Sequence, residues 1–150
     1  MSSREFTVEI CEALYACPKR VASKLMWRAN REGNFLLQAQ VIAEDGTMFE
    51  LVGYWSSQRS HKRTRWGFSL KYYGHTIRSY DMADSHKNPG EKGRIIGPHK
   101  HKFRSSKILR FAYKPNPPIS ETDPNQSLMD FLAEANIALP TDYQNLMFPI

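Results

Sequence analysis

The sequence predicts an α+β domain, an antiparallel meander of about six strands with an N-terminal and a C-terminal helix on one face. Three observations predict it. Short runs rich in β-branched and aromatic residues follow one another, separated by turns containing glycine. The C-terminal third carries a clear helical repeat at Leu128, Phe131, Leu132 and Ala135. A chain of 150 residues, 41% hydrophobic and 12% aromatic, is long and apolar enough for one domain, residues 1–150, with its own core.

From the N-terminus, Arg4 to Cys17 reads as a helix, with Phe6, Ile10 and Leu14 on one side and Glu5, Glu9 and Glu12 toward its start. Phe6-Thr7-Val8 also allows a strand to begin there, and Pro18 ends the segment. Lys19 to Asn30 reads as extended, with Val21, Leu25 and Trp27 on one side and Ala22 and Met26 on the other. A turn at residues 30–34 leads to the strand Phe35 to Ala43. Asp45-Gly46 supplies the positive φ that a tight hairpin needs before Thr47 to Trp55 returns. Ser56 to Thr64 is a polar, basic hairpin tip. Arg65 to Tyr73 alternates Trp66, Phe68, Leu70 and Tyr72 on one face. A turn at Gly74-His75 precedes a short strand from Thr76 to Asp81, and Lys107 to Tyr113 forms another. Four prolines make Lys114 to Pro124 an irregular connector. Asp123 caps the last helix, Pro124 fits its first turn, and Asn136 or Ile137 ends it. Leu146, Met147, Phe148 and Ile150 are apolar enough to pack on the sheet or on a partner chain.

The net charge of +6 is unevenly spread. Arg59, Lys62, Arg63 and Arg65 lie in the hairpin tip with no acid between them. Lys87 to Arg110 holds eight basic residues against Glu91 alone, whereas residues 115–150 hold five acids and no lysine or arginine. Such asymmetry points to an anionic partner, most commonly nucleic acid, although a solvated basic surface produces the same pattern. No apolar run reaches the roughly 20 residues of a membrane span, no signal peptide opens the chain, and Cys11 and Cys17 read as small buried hydrophobes of a reduced compartment. The cytoplasm is therefore expected, with no membrane partner. P-loop, G-x-G-x-x-G, G-x-S-x-G and C-x-x-C motifs are absent from the sequence.

The chemistry concentrates between Asp81 and Phe103, which contains three of the five histidines. His99 and His101 alternate along one extended segment and share a face. The Asn88-Pro89-Gly90 turn can fold His86 back toward them. Two readings stay open. His86, His99 and His101 with Asp81 or Glu91 would suffice for zinc or manganese. Without metal, two imidazoles act as acid and base on an RNA 2′-hydroxyl and leaving oxygen, with Lys100 or Lys102 stabilising the phosphorane. A third reading makes the histidines plain contacts to phosphate, to a protein or to their own backbone. The assignment adopted is catalytic, on His86, His99, His101, Asp81 and Lys100, with no residue given to metal and the cofactor left unassigned. Arg59, Lys62, Arg63, Arg65, Trp66, Lys102 and Arg104 are assigned to nucleic acid, the tryptophan by stacking.

His86-Lys-Asn88-Pro89-Gly90-Glu91 followed by Pro98-His99-Lys-His101 resembles a domain-of-unknown-function family of small bacterial and phage proteins with an H-x-N-P turn ahead of a P-H-x-H strand. The run from Leu128 through Asn136-Ile137 to Phe148 is similar to that family's closing segment, so the resemblance covers the chain from Tyr80 onward. The H-x-H element, with an aspartate upstream and an apolar helix downstream, is also similar to toxins of toxin–antitoxin pairs. The linkage between Gly90 and His99 is longer and more basic than in either. The resemblance implies no established activity. Three functions follow as expectations. The first is a toxin-like ribonuclease of a mobile element or phage, and the second a non-catalytic nucleic-acid-binding module, with RNA ahead of DNA in both. The third is an inhibitor that binds a host defence complex of CRISPR type; the corresponding protein partner is that complex or an antitoxin.

Overall fold

Alternation along the central strands sends their apolar side chains to one face, and that face carries both helices. The structure is a computed structural model that describes residues 6–30, 33–58, 63–82, 85–105 and 110–143. In chain order the elements are α1 (Val8–Ala16), β1 (Lys19–Val21), β2 (Trp27–Ala29), β3 (Phe35–Ala43), β4 (Met48–Gln58), β5 (Arg63–Tyr72) and β6 (His75–Asp81). There follow β7 (Ser85–His86), β8 (Ile95–Ile96), β9 (His99–Lys102), β10 (Phe111–Tyr113), α2 (Pro124–Glu134) and β11 (Ile137–Ala138). The main sheet runs β10-β9-β6-β5-β4-β3-β1-β11, with β2 also pairing β3, and β7 and β8 form a separate ribbon. Pairing is antiparallel except between β1 and β11.

The α+β class and the central meander of β3 to β6 agree with the sequence reading, but among the described residues the main sheet has nine strands rather than about six. The count rises because the extended segment Lys19 to Asn30 divides into β1 and β2, the histidine segment supplies β9, and β11 is two residues long, too short to show a period of two. The extended segment expected to carry His99 and His101 is the strand β9. The expected strand from Lys107 is described only from Phe111 to Tyr113. Residues Arg4, Glu5, Lys107, Ile108, Leu109 and the apolar tail Leu146, Met147, Phe148 and Ile150 lie outside the described residues. Among the described residues no helix is long and apolar enough to cross a membrane.

Helix ends follow local chemistry. The Thr7 hydroxyl accepts from the Ile10 amide at 3.2 Å, which settles the N-terminal segment as helix rather than strand. Asp123 caps α2 by accepting from the Asn125 amide at 2.9 Å, with Pro124 in the first turn as expected. Asn136, at φ 56°, breaks the helix in the left-handed region that asparagine tolerates. Cys11 and Tyr15 from α1 and Leu128, Phe131, Leu132 and Ala135 from α2 join Leu37, Leu51, Phe68 and Leu70 in the core. Cys11 and Cys17 are free thiols.

The helix-covered face also buries three cations. Lys19 donates to the carbonyls of Tyr15 at 2.7 Å, Cys17 at 2.8 Å and Ala135 at 2.7 Å, so one ammonium satisfies the C-terminal ends of both helices. Arg78 meets both Glu12 oxygens, at 3.1 and 3.0 Å, and lies 4.0 Å from the Tyr15 ring centre. Lys100 reaches the Tyr15 hydroxyl at 2.8 Å and forms an ion pair with Glu134.

Two outcomes follow. Phe131 is wholly buried, its ring 5.8 Å from that of Phe68, so Phe131→Ala should cost about 3–5 kcal/mol in urea unfolding. Burial pushes the Lys19 pKa from 10.5 down to about 8. Between those values the unfolded chain binds more protons there than the folded one, so raising the pH favours folding. Denaturation at a series of pH values should show the parent gaining stability relative to Lys19→Met from about pH 8 toward 10.5.

Candidate functional site

Lys100 points into the helix-covered face, so its neighbours His99 and His101 point out of the opposite one. The ladder places His99 opposite Asp81 and His101 opposite Ser79. His86 arrives from the β7–β8 ribbon. Its approach is fixed by the turn that follows: the Glu91 amide bonds the Asn88 carbonyl at 3.2 Å, Pro89 occupies the second turn position, and Gly90 takes φ 80° in the third. Asn88 is 2% exposed, although asparagine is usually a surface residue. Its side chain donates to the Ala112 carbonyl at 2.8 Å and accepts from the Ala112 amide at 2.7 Å, clasping the ribbon to the edge strand β10.

The three imidazoles converge. His99 Nε2 lies 3.0 Å from His101 Nε2, which lies 3.4 Å from His86 Nδ1. One nitrogen from each ring falls within 4.8 Å of the others, and Asp81 and Glu91 are not members of this group. Ring centres are 4.5–5.5 Å apart. His99 and His101 are 0% and 2% exposed and His86 is half-buried, so the centre opens on the His86 side. His99 Nδ1 faces the Gly97 carbonyl at 2.9 Å and therefore carries its proton there, leaving the Nε2 lone pair for the centre. His101 Nδ1 faces Ser79 Oγ at 3.2 Å and Arg110 Nη2 at 3.4 Å. Burial, then Arg110, then the other two imidazoles push the His101 pKa down to about 3. Burial, His99, Arg110 and Arg94 lower that of His86.

Tyr54 borders the same face, donating from its hydroxyl to Asp81 Oδ1 at 2.7 Å. Gly67 makes room for it. A Cβ at Gly67 would lie 2.6 Å from the Tyr54 ring and 2.7 Å from the Tyr80 carbonyl oxygen. Burial raises the Tyr54 pKa, and the neighbouring Asp81 raises it further.

The assigned residues divide. His86, His99 and His101 come together, with Asp81 on the same face but engaged by Tyr54. Lys100 does not join them. It is wholly buried on the opposite face against Glu134 and Tyr15, so it cannot stabilise a phosphorane formed at the histidines. Trp66 is 4% exposed on the helix-covered face, paired with Trp55, and offers no stacking surface. Arg65 is half-buried on the histidine face near Tyr54. Lys102 lies 5.0 Å from the Tyr113 ring centre, and the exposed Arg104 lies 4.3 Å from that of Phe111. Arg59, Lys62 and the Arg63 side chain lie outside the described residues, as do His61 and Asp84. The sequence reading missed Asn88 as a clasp, and Ser79, Tyr54, Gly67 and Arg110 as neighbours of the centre.

Residues 6–137 match a family of unknown function, DUF6978. The chain belongs to that family. The match reaches well upstream of Tyr80, where the sequence resemblance began, and so takes in α1 and the whole meander of this DUF6978 member. Comparisons with curated proteins and with solved structures give no match.

Asn88→Ala should leave the Ala112 amide and carbonyl without their partner and lower stability by about 1–3 kcal/mol in urea. Histidine NMR spectra should show His86 losing its fixed environment. An unchanged midpoint would mean that the clasp does not hold the ribbon.

Proposed function

We propose that this DUF6978 member is a metal-dependent enzyme directed at nucleic acid, with a divalent ion of the zinc or manganese class held by His86, His99 and His101. One observation carries the reading: three imidazole nitrogens from two separate pieces of sheet face a common point. Tetrahedral zinc–nitrogen bonds of about 2.0–2.1 Å would separate ligand nitrogens by about 3.3 Å. Two of the observed separations are 3.0 and 3.4 Å. The His99 Nδ1 contact with the Gly97 carbonyl is the kind of outer bond that orients a ligating imidazole. Three protein ligands leave a fourth position open, as catalytic rather than structural sites do. An ion held by these three residues would supply Lewis-acid chemistry.

The metal-free alternative is less well supported. An acid and a base acting on one phosphodiester must stand on either side of phosphorus, whereas His99 and His101 touch at 3.0 Å and are buried. The nucleic-acid direction rests on the charge asymmetry and on the arginines of the histidine face, with RNA ahead of DNA. A toxin-like ribonuclease of a mobile element or phage fits both features. The non-catalytic alternatives, a nucleic-acid-binding module or an inhibitor of a CRISPR-type host defence complex, would keep the basic surface without needing the histidine geometry.

The experiment is elemental analysis of protein purified without chelator, followed by cobalt substitution. About one equivalent of divalent metal is expected. His86 stands on the outer ribbon, so His86→Ala should fold normally while binding cobalt at least about tenfold more weakly. No retained metal and no cobalt spectrum would sink the proposal.

A further inference from the structure

The sheet face that carries the histidines continues across β5, β4 and β3 to β2, and its far end holds a groove of about 770 Å³. Alternation places Leu36, Gln38 and Gln40 of β3 and Met48 and Glu50 of β4 on the floor. Leu36 and Met48 are 50% and 41% exposed, whereas Leu37, Phe49 and Leu51 on the helix-covered face of the same strands are buried. The exposed Arg28 of β2 stands opposite Leu36, and the half-buried Lys71 of β5 stands opposite Glu50. Glu50 already accepts from the Gln38 amide at 2.9 Å. Among the described residues neither Arg28 nor Lys71 has an ion-pair partner.

Tyr73 lines the same groove, 84% exposed, in the two-residue turn between β5 and β6. A tight hairpin of this kind takes positive φ at both turn residues, which favours Asn-Gly or Gly-Gly. Gly74 adopts φ 78° without steric cost, but Tyr73 takes φ 45°, where a bulky side chain is rare. The ring gains little from the fold in return, meeting Tyr72 edge-on with centres 4.7 Å apart. Backbone strain of that sort persists where a bound group uses the side chain.

We propose that this groove binds a single-stranded segment of the nucleic acid presented to the histidine centre, with a base stacked on Tyr73 and phosphates on Arg28 and Lys71. The site rests on the nucleic-acid reading above and specifies that the substrate is unpaired there. An exposed ring bordered by cations holds single strands, because every base has a face to stack and every link a charge. A duplex keeps those faces covered. The side-chain amide of Gln40 offers a donor and an acceptor to a base edge. Groove and centre lie on one surface: Tyr54, Gly67, Asp81 and His99 form a row across β4, β5, β6 and β9, and Glu50 lies four residues along β4 from that row. At about 3.3 Å per residue and 4.8 Å per strand, the two are about 20 Å apart. About six nucleotides stacked at 3.4 Å cover that distance.

The test is fluorescence anisotropy of labelled ten-nucleotide single strands, ribo and deoxyribo, with the full chain at several salt concentrations. Tyr73→Gly removes the ring and the strain together, so its urea midpoint should be no lower than the parent's while binding weakens at least about fivefold. Tyr73→Phe keeps the ring and should bind as the parent does. Replacing both Arg28 and Lys71 by glutamine should lower the slope of log affinity against log salt by about 1.4, at about 0.7 per phosphate contact. Parent-like binding by Tyr73→Gly, with parent-like slope in the double variant, overturns the groove and leaves the nucleic-acid reading standing. Tighter binding of a duplex of the same sequence, or a dimer of the chain that Tyr73→Gly dissociates, also overturns the groove. A parent chain that binds neither strand nor duplex overturns the nucleic-acid reading, and this site with it.

Discussion

The ion pair between Lys100 and Glu134 is the contact on which the candidate site depends. Strand β9 is short and sits near the edge of the sheet, and it reads His-Lys-His-Lys, a pattern with no apolar residue to fix which face is which. A slip of one residue would send both histidines under the helices and both lysines to the open face. Lys100, wholly buried against Tyr15 of α1 and Glu134 of α2, makes one register satisfied and the other an unpaired charge in the core. The polar network also requires both helices to be in place before the strand is satisfied.

This division of labour separates two kinds of charge. On the helix-covered face Lys19, Arg78 and Lys100 are consumed by carbonyls, carboxylates and aromatic rings of the protein itself. On the histidine face Arg110 is exposed beside His101. A net charge of +6 therefore overstates the basic surface on offer to a partner.

Much of the fold was legible because β3 to β6 are long enough to display alternation, and α2 carries both its cap and its apolar stripe. The shared face of His99 and His101 was legible from their own alternation, although β9 is only four residues long. Lys100 and Trp66 were misassigned although the alternation argued against both roles. Lys100 sits between two residues assigned to the other face, and Trp66 shares its face with Phe68 and Leu70. Ser79, Tyr54 and Gly67 were not legible, since their position depends on the register between β4, β5, β6 and β9, which no local pattern carries. Asn88 read correctly as a turn residue, but its second role needs a strand 24 positions away. The two-residue strand β11 is set by what it pairs with rather than by its own composition.

The edge formed by β1 and β11 bears on the order of assembly during synthesis. β1 pairs in parallel with β11, and Lys19 bonds the Ala135 carbonyl across 116 positions. Until Ile137 has left the ribosome, β1 presents an unpaired edge and a lysine whose final acceptor does not yet exist. Contacts of such long sequence separation form late and slowly. The nascent meander therefore waits with one side of its sheet open to mispairing, and the last helix to be made closes the edge that was laid down first.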